Sequence, residues 1–152
     1  MMERQEKWDQ RFLDLADFIS TFSKDPSTKV GAVITKNVNE IVSIGYNGFP
    51  KSDPDSEEEY INRETKLGKI IHGEMNAVKF AQSNGYHDLK GCTVYTTPFP
   101  PCYDCAIALA KLGVSRVVSI EPTREQEERW GDSFRKTYKL FKFNKIELTL
   151  KG

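Results

Sequence analysis

The chain lacks most of what marks a secreted, membrane-bound or polymer-binding protein. Its 152 residues include only three cysteines, too few for the disulfide framework that replaces a core in small secreted domains. No apolar run approaches the roughly 20 residues of a membrane span. The first seven residues, Met1 to Lys7, are mostly charged and lack the apolar centre of a signal peptide. The expected location is the reducing cytoplasm, where a Cys-x-x-Cys pair is more often a metal or redox site than a disulfide. Neither charge is in excess, with 22 Lys and Arg against 22 Asp and Glu. A protein that tracks a nucleic-acid backbone needs a basic surplus or stripe, so this balance favours a small substrate. Internal repeats and low-complexity tracts are also missing. What is left, 38% apolar and 29% charged residues, suits one domain spanning residues 1–152 with its own core.

Hydrophobic spacing organises that domain. Trp8, Phe12, Leu15, Ile19 and Phe22 recur at helical intervals, and Asp25-Pro26 ends the pattern. Residues 30–34 and 41–46 are rich in β-branched side chains and flank Asn37-Val38-Asn39, which predicts a hairpin. Residues 51–68 read as a polar, acidic excursion with a short helix from Glu58 to Leu67. A helix follows over 74–82, a strand over 93–97, an alanine-rich helix over 102–112 buried on two sides, and a strand over 117–120. Thr123 and Gln126 form a capping box for a helix that turns Trp130, Phe134, Tyr138 and Phe141 inward. Ile146, Leu148 and Leu150 alternate as a last strand. The order α-β-β-α-β-α-β-α-β predicts an α/β fold with a mixed five-stranded sheet between helices on both faces.

The chemistry concentrates in two short motifs, His72-Gly73-Glu74 and Pro101-Cys102-Tyr103-Asp104-Cys105. Cys102 and Cys105 stand three residues apart at a helix start, where both sulfurs reach one side of the first turn and thiolate is favoured. His72, also at a helix start, supplies a third ligand for Zn2+. The remaining candidates are Cys92, read as a small buried residue before a strand, and His87, read as a solvated loop residue. Three protein ligands with one open position is the pattern of a catalytic zinc, whereas a structural zinc takes four. Two thiolates neutralise the ion formally, so a nearby carboxylate is needed to move the water proton, and Glu74 fits that role as catalytic acid-base without being a ligand. His-x-Glu followed by Pro-Cys-x-x-Cys is an established signature of zinc nucleobase deaminases, so the match is to a known pattern. A thioredoxin-like redox pair would sit after the first strand, far from any His-x-Glu.

Around these motifs the sequence resembles the deoxycytidylate (dCMP) deaminase family, within the cytidine deaminase-like superfamily, from about Trp8 to Ile120. The stretches Ser23 to Ala32, Ile44 to Pro50, His72 to Ala77 and Phe99 to Ala106 carry the likeness. The resemblance implies a three-layer α/β/α fold and hydrolysis of dCMP to dUMP and ammonia, with Glu74 shuttling protons to N3 and the leaving amine. It implies that Asn47 binds the deoxyribose, that Ser23 and Lys24 lie near the 5′-phosphate, and that Gly73, Thr97 and Pro98 also contact substrate. The alternative for Lys24 and Lys29 is solvated loop charge, and for Asn47 a turn residue. The family further implies a trimer or hexamer, and in some members control by dCTP and dTTP, with Mg2+ accompanying the nucleotide effector. A second, structural zinc is not expected, since only Cys92 and His87 are left to hold one.

Two other readings compete. An adenosine deaminase acting on RNA, or a free nucleoside deaminase, would share the zinc motifs, but the balanced charge and the Ser-Lys-Asp-Pro stretch favour a phosphorylated mononucleotide. A non-catalytic zinc module would not need Glu74.

Overall fold

In the computed structural model the described residues are 2–50, 56–62, 66 and 70–152, residues 2 and 3 by backbone alone. Helix α1 spans Met2–Ser20, and the hairpin strands β1 and β2 span Gly31–Lys36 and Glu40–Tyr46. The short helix α2 covers Glu57–Ile61, with Ser56 capping its N-terminus. Helix α3 follows at Gly73–Ser83, β3 at Cys92–Thr97, α4 at Tyr103–Lys111 and β4 at Arg116–Ile120. Helix α5, Arg124–Phe143, and β5, Glu147–Lys151, complete the chain. The expected element order holds. Most of the stretch from Asn62 to Leu67 in the predicted 58–67 helix lies outside the described residues.

The five strands form one sheet in the order β2-β1-β3-β4-β5. Strand β1 runs antiparallel to both β2 and β3, whereas β3, β4 and β5 run parallel. Parallel neighbours need crossovers, and α4 and α5 supply them. One face of the sheet packs Ala32, Ile34, Val94 and Val117 against Ala77 and Ala81 of α3, Leu109 of α4 and Phe141 of α5. The other face packs Val33, Tyr95 and Val118 against Phe12, Leu13 and Ala16 of α1. The result is the predicted α/β/α sandwich. No helix among the described residues is long and apolar enough to cross a membrane.

Two glycines set how close the layers come. A Cβ on Gly31 would lie 1.9 Å from the Ala16 carbonyl oxygen of α1, and one on Gly45 would lie 2.3 Å from the Ala77 nitrogen of α3. Helices on both faces therefore touch the hairpin backbone directly. The Asn37-Val38-Asn39 turn reverses the chain with positive φ at Asn37 and Val38.

Some details of the helices differ from expectation. Helix α1 ends at Ser20, where the Ser20 and Thr21 hydroxyls donate to the Asp17 and Phe18 carbonyls and compete with the helical ladder. Phe22 therefore lies beyond the helix, 47% exposed, against the rings of Phe18 and Tyr46. On α5, Phe134 and Phe141 are buried as predicted, but Trp130 and Tyr138 are only half-buried. Thr137 and Gly131 are buried beside them, and Trp130 stays partly open because it lines a cavity.

Beneath α1, Asp9 is buried and accepts hydrogen bonds from Tyr95 Oη at 2.7 Å and Arg116 Nη1 at 2.7 Å. Burial pushes its carboxyl up, but Arg116 and Tyr95 outweigh this and hold it below its ordinary value of 3.8. Because the folded value is the lower one, the stabilisation is complete above pH 3.8 and is lost as the pH falls through the folded value. Asp9→Ala leaves Arg116 half-buried with only the exposed Glu147, 3.5 Å away, and Tyr95 without its acceptor, so it should cost about 1–3 kcal/mol in urea unfolding. Asp9→Asn should also flatten the acid limb of the stability curve. An unchanged midpoint for both variants would show that the pair is not a stability element.

Candidate active site

The motifs meet at the end of the sheet where β3 stops. His72 is the N-cap residue of α3 and Cys102 that of α4, and neither side chain caps its own helix. Both are therefore directed elsewhere. His72 Nδ1 lies 3.3 Å from Cys105 Sγ and 3.5 Å from Cys102 Sγ. Among the described residues these three form a cluster whose ligand atoms all lie within 4.8 Å of one another. A tetrahedral zinc with bonds of about 2.3 Å to sulfur and about 2.0–2.1 Å to nitrogen needs nitrogen–sulfur separations of about 3.5 Å. The donor set fits the ion in both type and spacing.

The local fold explains the convergence. An isolated pair of backbone hydrogen bonds between Gly48 and Ile71, 3.0 and 2.8 Å, brings the chain entering α3 onto the end of β2. Asn76 Nδ2 donates to the Tyr46 carbonyl at 2.8 Å and pins the first turn of α3. On the other side, Ser133 Oγ of α5 accepts from the Tyr103 amide at 2.9 Å, and Thr137 Oγ1 donates to the Pro101 carbonyl at 3.0 Å. Helix α5 thus holds the Cys102 turn in place.

The electrostatics follow from this crowding. The Cys102 thiol is pushed down to about 4, first by the hydrogen bond from Cys105 and then by His72. The same hydrogen bond, together with burial, drives the Cys105 thiol up. A bound dication would favour the thiolate form of both sulfurs. His72 is raised, chiefly by its hydrogen bond to Cys102. Glu74 is 4% exposed, and burial raises its carboxyl above the ordinary range. Thr96 Oγ1 donates to Glu74 Oε2 at 2.9 Å and fixes the carboxylate.

His72, Glu74 and Cys102 open onto a cavity of about 240 Å³. The other predicted substrate residues are distributed unevenly around it. Asn47 lines the cavity, but its amide is committed to the loop: Oδ1 accepts from the Val30 amide at 2.8 Å, and Nδ2 donates to the Thr28 carbonyl at 2.9 Å. Ser23 is buried behind the wall, donating to the Asn47 carbonyl at 2.8 Å. Lys24 is exposed and does not line the cavity, and Lys29 Nζ donates to the Ser23 carbonyl. Gly73 packs against Val30 behind the His72 turn. Thr97 faces α1, opposite to Thr96, because side chains alternate along β3. Pro98 lines an outer groove next to the cavity and the hollow against α1, but not the cavity itself. Cys92 is buried at the start of β3, and His87 is exposed.

Several wall residues were given no role by the sequence, although Asp25 and Phe99 lie in stretches it singled out. Asp25 accepts from the Ser27 amide at 2.8 Å and from Lys66 Nζ at 3.3 Å, both carboxylate and ammonium being buried. Phe99, Trp130 and Phe134 form an aromatic side, with Phe99 centred 5.0 Å from Trp130 and 5.8 Å from Phe134.

Comparison with known proteins bears on this arrangement. A family profile described as the cytidine and deoxycytidylate deaminase zinc-binding region matches residues 6–121. An uncharacterized deaminase from the luxG 3′ region of Aliivibrio fischeri is 41% identical over 94% of this chain and 92% of its own length. The human deoxycytidylate deaminase is 31% identical over 95% of this chain and 79% of its own. The crystal structure of dCMP deaminase from cyanophage S-TIM5, in complex with dCMP and dUMP, shares the fold with a TM-score of 0.70 over 93% of this chain and 94% of that one, at 22% identity.

Proposed function

The chain belongs to the cytidine and deoxycytidylate deaminase family, and from that membership we propose that it hydrolyses dCMP to dUMP and ammonia at a site built from His72, Cys102, Cys105 and Glu74. The observation that carries the reading is that a three-donor metal cluster and a buried, non-ligating carboxylate open onto one cavity. His72 Nδ1 and the sulfurs of Cys102 and Cys105 would hold the zinc. What zinc supplies when bound is Lewis acidity that lets water act as a nucleophile near neutral pH. Glu74 takes a proton from the attacking water and delivers it to N3 of cytosine, then takes the remaining proton of the hydroxyl added at C4 and passes it to the amine, which leaves as ammonia. One water is consumed and one ammonia released, so atoms and charge balance. Thr96 holds the carboxylate in place, and the Phe99–Trp130–Phe134 side offers the pyrimidine an apolar wall. Asn47 serves the deoxyribose end by shaping the 25–30 loop that encloses it.

The finer expectations belong to the same proposal. The protein is a cytoplasmic homo-oligomer, a trimer or hexamer, with the half-buried Ile107, Ala108 and Ala110 of α4 available for packing. dCTP with Mg2+ and dTTP are its effector candidates. Ammonia release across dCMP, deoxycytidine and a tRNA anticodon stem-loop, with and without dCTP and Mg2+, tests the reading. dCMP should be turned over fastest. Faster release from the unphosphorylated nucleoside or from RNA would overturn the substrate assignment.

A further inference from the structure

We propose that Arg129 of α5 determines specificity for a 5′-phosphorylated nucleotide over the free nucleoside, its guanidinium and the hydroxyls of Ser27 and Thr28 receiving the phosphate where the cavity opens. The inference rests on the deaminase reading above and assigns one end of the same site. Arg129 lies outside residues 6–121, the part of the chain that the family profile matches.

The position of the mouth follows from two adjoining hollows. His72, Glu74 and Cys102 line only the inner cavity. Lys29, Thr123 and Glu125 line only the outer groove. Ser27, Thr28, Phe99, Arg129 and Trp130 line both, so they stand where the two meet. In a cytosine nucleotide, the reacting C4 and the sugar-bearing N1 are on opposite sides of the ring. With C4 held at Glu74, the sugar and phosphate extend away from the metal ligands, toward this junction.

Charge singles out Arg129 there. Among the described residues lining the inner cavity, the lysine and arginine side chains are Lys66 and Arg129. Lys66 is already paired, 3.3 Å from Asp25. Arg129 makes no ion pair among the described residues; its guanidinium carbon lies 4.5 Å from the centre of the Trp130 ring. That stacking leaves the forked donors at the guanidinium edge available and limits the side-chain freedom lost on binding. The Ser27 and Thr28 amides are used by Asp25, but their hydroxyls have no hydrogen-bond partner among the described residues. A planar, always-charged fork beside two hydroxyls suits a phosphate dianion.

The test compares zinc-loaded wild type, Arg129→Gln and Arg129→Lys. Calorimetry measures binding of dUMP and deoxyuridine, and steady-state kinetics measures dCMP against deoxycytidine. In Arg129→Gln, dUMP affinity and kcat/KM for dCMP should fall about ten- to a hundredfold, the scale of charge-assisted hydrogen bonds. The loss should appear mainly in KM and be confined to phosphorylated ligands. Arg129→Lys, which keeps charge but not the fork, should recover part of it. A dCMP-selective wild type whose selectivity survives Arg129→Gln would overturn the assignment alone, as would an equal loss for phosphorylated and free ligands. A wild type that prefers deoxycytidine would overturn the substrate reading and this assignment together.

Discussion

Replacing Glu74 by glutamine or alanine should lower dCMP turnover by at least about a hundredfold, and up to about ten-thousandfold, while bound zinc stays stoichiometric. The carboxylate is outside the donor cluster of His72, Cys102 and Cys105, so its removal leaves the metal's ligands in place. Glutamine keeps the shape and can still accept the Thr96 hydrogen bond, yet it cannot carry a proton between water and base. Burial is also the largest influence on Glu74 and disfavours its charged form. A neutral amide there should therefore leave the melting temperature unchanged or raise it, the usual sign that a residue is kept for activity at some cost in stability. Turnover within tenfold of wild type, with zinc content and melting temperature intact, would remove Glu74 from the mechanism. Loss of zinc from the same variant would instead make it a ligand.

The cluster of His72, Cys102 and Cys105 with Glu74 beside it was legible in the sequence because each of its parts is local. His72 and Glu74 are two residues apart and Cys102 and Cys105 three, so each pair occupies one helical turn, and the structure only has to bring two helix starts together. The sheet was legible for a similar reason: β-branched runs and the hairpin turn mark their own positions. The rest of the cavity wall is built differently. Asp25 meets Lys66 across 41 residues and Ser133 supports Tyr103 across 30. No periodicity or short motif encodes such pairs. The 23–29 stretch is a loop beside the cavity, but it turns Asp25, Ser27 and Thr28 to the cavity and Ser23 to its back. Thr97 shows the same limit on a smaller scale, since one step along a strand exchanges the two faces of the sheet. Trp130 kept the helical phase predicted for it, yet at the cavity end of α5 that phase leads to an opening and not to packed core.

Losing one thiolate should abolish the metal site. In Cys105→Ser, bound zinc should fall at least tenfold by elemental analysis and turnover should fall with it, because a serine hydroxyl is a far poorer zinc ligand than a thiolate. Cys105 is 2% exposed on the first turn of α4, so the substituted hydroxyl stays in the same place and the change tests chemistry more than geometry. Cys92→Ser is the control: it is buried at the start of β3, away from the donor cluster, and should keep full zinc even if it lowers stability. Zinc affinity in the wild type should also weaken as the pH falls. Protons compete for both sulfurs and for His72, whose hydrogen bond to Cys102 raises its affinity for a proton above that of a free imidazole. Loading zinc near neutral pH should accordingly release protons, seen by calorimetry in buffers of different ionisation enthalpy. Removing zinc with a chelator should lower the melting temperature, since an ion bound only by the folded chain stabilises it by mass action. A full metal complement in Cys105→Ser, or zinc binding without proton release, would mean that Cys102 and Cys105 do not bind the ion as a thiolate pair.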